Sequence, residues 1–289
     1  MQKKHIAVVI ALAAVLLAGR ANIDASAGPA IRDVVHGTKV DPTFQPRLGT
    51  YHYTIELNGI NIGGASITVG REKDLYLMNF AARTNETIDR VYRVRYSGMS
   101  TMDPDPLSPV ETKISQKVRS TDKDISISFQ GNGMIRATEE ESKGGKPVDN
   151  DVRQVWTESL TLDPFSATYL IRGFEWDVGT RHTINIFNGK RIYEWNLTCE
   201  ETAVVEIAGL KRPVWIISQT YKRLDDKDQK EKPGAKLYVS ADRFKDVLKL
   251  EVGRSMGHFL ASLDRFEPAQ RQAEAQSDAG EAKKIAHGR

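Results

Sequence analysis

The sequence predicts a mainly β protein: a curved antiparallel sheet, or an open or closed β-barrel-like architecture, with one short helix near residues 164–172. Three observations predict it. From Leu48 onward, apolar residues recur at every second position in short runs, the period of strands that bury one face. Gly, Pro, Asp or Lys bounds each run. One segment departs from this pattern, with Asp163 as an N-cap, Pro164 at the first helical position and Gly173 at the stop.

The first strand sets Tyr51, Tyr53, Ile55 and Leu57 on one face and His52, Thr54 and Glu56 on the other. Asn58-Gly59 follows, and a type I′ turn needs the positive φ those residues tolerate, so a hairpin forms here. Its return strand runs through Ile60, Ile62, Ala65, Ile67 and Val69, where Gly63-Gly64 signals a bulge or a close backbone approach. Further strands are read at Tyr76–Phe80, Tyr92–Tyr96, Ile125–Phe129, Ile184–Ile186 and Tyr193–Trp195. Others follow at Val204–Ile207, Val214–Tyr221, Leu237–Val239, Leu248–Val252 and Phe259–Leu263. In the helix, Phe165 and Tyr169 share a face, with Arg172 three positions on. The charged stretches Glu139–Asp151 and Lys222–Pro233 read as solvated loops or hairpin tips.

The domain plan follows from these segments. Residues 1–27 read as a signal peptide: Lys3 and Lys4, an apolar run from Ile6 to Ala18, then Ala25-Ser26-Ala27. That run is too short for a permanent membrane helix, and no second one follows. Residues 28–46, broken by Gly28, Pro29, Gly37, Pro42 and Pro46, read as a linker. A single large antiparallel β domain is expected over 47–267, or two β halves divided near 151–181. Residues 268–289 read as a disordered polar tail. Leu16-Leu17-Ala18-Gly19 resembles a lipoprotein box, but Arg20 stands where the lipidated cysteine would be, so the expected location is periplasmic and unanchored.

Loss of 1–27 removes three cations and one anion, so the formal charge of +3 becomes +1. A nearly neutral mature chain makes no electrostatic case for nucleic acid, which requires a clustered basic face, and no nucleic-acid partner is expected. The single cysteine, Cys199, rules out an intramolecular disulfide and reads as a buried small hydrophobe.

Motifs for chemistry are sparse. His36, His52, His182, His258 and His287 have no metal-ligand spacing, and no metal or cofactor is expected. There is no G-x-S-x-G nucleophile elbow. Gly131-Asn132-Gly133 suits a hairpin turn, and Asp103-Pro104-Asp105-Pro106 lacks the glutamate of a calcium loop. No catalytic residues can be named. Aromatic residues remain, and they either fill the core of a curved sheet or line an apolar cleft. In the cleft reading the ligand-binding residues are Tyr169, Arg172, Trp176 and Trp195, with Arg172 orienting an acidic headgroup.

Several segments resemble the bacterial domain-of-unknown-function 3108 family. They are the strand-Asn-Gly-strand opening with Gly63-Gly64-Ala65, Pro109 before a strand, Asp163 through Arg172, Leu237 through Asp242, and Gly257 through Leu263. The resemblance spans roughly Leu48–Phe266 and implies an exported, mainly β envelope protein with no established activity. The function expected is non-enzymatic binding of an amphipathic envelope molecule, lipid or glycan, or of an envelope protein. A carboxylate-dependent hydrolase of envelope polysaccharide or lipid and an envelope scaffold that pairs through a strand edge are the alternatives.

Overall fold

The computed structural model describes residues 41, 44, 46–104, 108–225, 230–254 and 257–269. The expected signal peptide, most of the linker and nearly all of the polar tail lie outside the described residues, as does part of Lys222–Pro233.

Fifteen strands form one continuous sheet built from two meanders. The first comprises β1 (Gly49–Leu57), β2 (Ile60–Glu72), β3 (Leu75–Thr84), β4 (Val94–Asp103), β5 (Ser108–Val118), β6 (Thr121–Phe129), β7 (Met134–Lys143) and β8 (Lys146–Trp156). The second comprises β9 (Thr161–Leu162), β10 (Arg181–Phe187), β11 (Ile192–Ile207), β12 (Leu210–Arg223), β13 (Lys232–Ser240), β14 (Val247–Arg254) and β15 (Gly257–Pro268). The strand order is β8 back to β1, then β15 back to β9, so β1 and β15 lie side by side where the meanders join. All neighbours are antiparallel except β9 and β10. Among the described residues two helices accompany them, α1 (Glu86–Asp89) and α2 (Pro164–Gly173).

Local chemistry explains these elements. Asn58 (φ 50°) and Gly59 (φ 79°) both adopt the left-handed conformation the β1–β2 turn demands. The register of β1 on β2 slips between Ile55 and Glu56, opposite Gly63. A Cβ on Gly63 would lie 2.1 Å from the Arg83 carbonyl oxygen, so the close approach requires glycine.

The buried apolar face of the sheet and helix α2 form one core, which includes Tyr51, Tyr53, Ile55, Ile67, Phe80, Leu197, Leu237 and Phe259. The sheet is unclosed, with β8 and β9 as its edges. Side chains bridge part of the gap. Gly189, in the β10–β11 turn, sits so near β6 that an added Cβ would lie 2.6 Å from Ile125. Arg153 of β8 donates to the Gly189 carbonyl (3.2 Å). Buried Glu139 receives Lys123 at 2.8 Å, with Arg153 at 3.7 Å and Lys190 at 3.8 Å.

Two departures from the sequence reading have physical causes. The one-turn α1 was not expected. It forms because the Asn85 side chain accepts from the Ile88 N–H as an N-cap. Strand β8 lacks alternation because it is an edge, exposed over Lys146–Asn150, and charges there discourage pairing with other chains.

Candidate functional site

Three of the four expected ligand residues, Tyr169, Arg172 and Trp176, lie on α2 or just beyond it. Asp163 caps the helix by accepting from the N–H groups of Phe165 (2.8 Å) and Ser166 (3.2 Å). Its other oxygen accepts from the hydroxyls of Ser100 and Ser166. Burial pushes the Asp163 carboxyl above its ordinary value, against the pull of these bonds. Phe165 lies against Phe80 (5.8 Å between centroids), and Gly98 of β4 leaves room for its ring. Tyr169 meets Phe44 at 5.7 Å and Tyr76 at 5.4 Å.

Arg172 is 5% exposed and hydrogen-bonded within the protein. Its guanidinium donates to Asp246 (2.7 Å), to Tyr51 Oη (3.1 Å) and to the carbonyls of Phe244 and Lys245 (both 3.0 Å). Arg47 and the Tyr51 hydroxyl also bind Asp246, so this buried carboxylate ties α2 to β1, to the start of β14 and to the segment before β1. Trp176 donates from Nε1 to the Ile171 carbonyl (3.0 Å) and packs edge-on to His182.

Trp195 lies apart from that cluster, lining a cavity of about 30 Å³ with Tyr53, Thr168, Ile171 and Gln219. Its Nε1–H and the Gln219 amide nitrogen are both buried with no hydrogen-bond partner among the described residues. A space of this size suits about one water molecule, whereas ligand pockets run to hundreds of Å³. All four expected ligand residues are therefore buried, and the core around them is filled by the protein's own side chains.

The opposite, outer face carries a larger feature. An open groove of about 720 Å³ crosses β15, β1, β2, β3, β4 and β5. Strand register builds it in rows. Ser66 stands opposite Ala81, Ala81 opposite Ser97, and Ser97 opposite Ser115, giving a floor of small side chains across four strands. One row along, Arg83 stands opposite Arg95, and Arg95 opposite Lys117.

Three cations thus lie abreast on adjacent strands, about 4.8 Å apart by strand spacing, an arrangement that costs free energy when like charges face each other. Arg95 is paired to Asp89, whose carboxyl this hydrogen bond lowers to about 2. Arg83 and Lys117 form no ion pair among the described residues, although the row continues to Asp122 of β6, which stands opposite Lys117. At the β15 end the charges are balanced: Arg265 binds Glu267 (2.8 Å) and Asp264 (3.3 Å), and His52 faces Glu267 (3.3 Å).

Alternation marks these side chains as outward-facing. Their assembly into a row depends on the register between strands, which no local motif encodes. Among the described residues, no group of three or more His, Cys, Asp or Glu side chains is placed to hold a metal. No described helix is long and apolar enough to cross a membrane.

Fold and site together define a class: a barrel-like but unclosed antiparallel sheet wrapped on one helix, with a cationic groove on its outer face. The chain belongs to the DUF3108 family of proteins of unknown function, which matches residues 52–264, from within β1 to within β15. Among solved structures it is similar to a β-barrel-like protein of domain of unknown function DUF1849 from Brucella abortus. That similarity covers 78% of this chain and 99% of the other at 12% identity, with a TM-score of 0.54, and so concerns the fold. No curated protein matches the chain.

Proposed function

We propose that this is an exported, non-enzymatic binding protein of the cell envelope that holds the anionic part of an envelope molecule in its outer groove. The observation that carries this reading is the row Arg83, Arg95 and Lys117, in which two of three adjacent cations form no ion pair among the described residues beside an open groove of about 720 Å³. Adjacent like charges destabilise a sheet, and a bound anion relieves that repulsion. The export-type residues at 1–27 support the envelope setting. The buried carboxylates available to a hydrolase are already engaged: Asp163 caps a helix, Asp246 holds two arginines, and Glu139 meets three cations.

The test is calorimetric titration of the protein with inorganic tripolyphosphate at low salt. Binding is expected, and the double substitution Arg83→Ala with Lys117→Ala is expected to weaken it about ten-fold or more, worth roughly 1.4 kcal/mol, without lowering thermal stability. Equal binding by the double variant would overturn the reading.

A further inference from the structure

We infer that the groove takes a linear anionic glycan lying across the strands, rather than a single isolated anion; this deepens the function proposed above and rests on it. The groove does not stop at the basic row. A second outer cavity of about 520 Å³, lined by Asn79, Met99, Lys113 and Ser126 among others, shares Ser97 and Ser115 with the first. The two form one trough whose floor crosses from Ser66 on β2 to Ser115 on β5. Those three strand spacings span about 14 Å, longer than one anionic group requires.

The two walls differ in chemistry. One wall carries the cations Arg83, Arg95 and Lys117. The other carries Asn79, Met99 and Lys113, and the Lys113 ammonium is already paired with Glu111 (3.1 Å). The floor offers the hydroxyls of Ser66, Ser97 and Ser115. Arg95 is taken by Asp89, which leaves Arg83 and Lys117 two strand spacings, about 10 Å, apart. A fitting ligand therefore carries charges along one edge at about that interval, and hydrogen-bonding groups along its body. An extended chain of uronate-type sugars turns successive carboxylates to opposite sides, so every second one shares an edge, which matches two cations two strand spacings apart; a bare polyphosphate has charge on every side and no hydroxyl donors. On β6 the sign reverses, with Asp122 opposite Lys117 and Asp124 opposite Ser115, which limits the length of anionic chain the trough can hold.

The experiment is a length series on the unaltered protein: galacturonate, its trimer and longer oligogalacturonates, with polyphosphates of matched charge alongside. Affinity is expected to rise at least ten-fold from monomer to oligomer, as linked contacts reinforce one another, and to level off once the trough is spanned. The salt dependence should steepen with length, since each neutralised site adds to the slope.

Ser97→Tyr, placed where the two cavities join, is expected to abolish most of the length gain, so that trimer and longer oligogalacturonates bind the variant with affinities within about two-fold of one another. Equal affinity for monomer and oligomer would overturn the linear-ligand inference while leaving the anion groove standing. Tighter binding of polyphosphate than of matched oligogalacturonate would overturn the glycan. Failure of every anion, tripolyphosphate included, would sink the groove itself. If Ser97→Tyr does not fold, the length series still decides.

Discussion

Arg172 inside the sheet and Arg83 outside it are the same chemical group in opposite circumstances. Arg172 is buried, and its donors are taken up by a carboxylate, a phenol and two carbonyls. Arg83 is exposed, has no acidic partner among the described residues, and stands opposite another arginine. A charge completed by the protein serves the fold; a charge left incomplete beside a cavity is available to something else. That difference moves the search for a ligand from the helix to the outer face.

The sharpest way to break this comparison is to remove each arginine in turn. Arg172→Ala leaves Asp246 buried with a partner gone, and is expected to cost about 3–5 kcal/mol. Arg83→Ala is expected to shift stability by less than about 0.5 kcal/mol. Urea denaturation of both variants checks this, and a small cost at Arg172 would return it to the pool of available ligand residues.

Gly98 tests whether the core side is filled. A Cβ there would lie 2.2 Å from the Phe165 ring, so Gly98→Ala should cost about 1–3 kcal/mol through overpacking. Adding Phe165→Leu should recover part of that loss. A neutral Gly98→Ala in thermal melts would mean that the helix rides loosely on the sheet.

The smallest effect is expected at His182, which stacks on Phe174 (4.4 Å) and places Nε2 3.1 Å from the Glu175 carbonyl. Burial holds its pKa below the ordinary 6.5. The unfolded chain therefore takes up a proton before the folded one does. This contribution is complete above about pH 6.5 and is lost as the pH falls through the folded value. Melting temperatures from neutral to mildly acidic pH should decline less steeply for His182→Phe than for the parent.

Much of the fold was legible because alternation is a local signal: Tyr51, Tyr53 and Ile55 announce β1 without reference to anything else. The α2 boundaries were legible for the same reason, since Asp163, Pro164 and Gly173 act within a few residues of themselves. The role of Arg172 was not, because it depends on Asp246, which lies 74 positions away. A helix whose aromatic face packs against a sheet has the same sequence pattern as one that lines a cleft. The basic row was hidden twice over. Its members come from three strands, and a near-neutral net charge averages away a local cluster.

The junction of β1 with β15 also has a kinetic consequence. Most ladders join strands adjacent in sequence and can zip through short loops, but Asn58 and His258 meet across 200 residues. Closing a loop that long carries a greater entropic cost, and pairings of this kind slow folding. The two meanders can each begin to form before they are joined. Until β15 arrives, β1 has one unpaired flank bearing Tyr51, Tyr53 and Ile55, a sticky edge during synthesis. The centre of the finished sheet is thus the last part of it that the chain can complete.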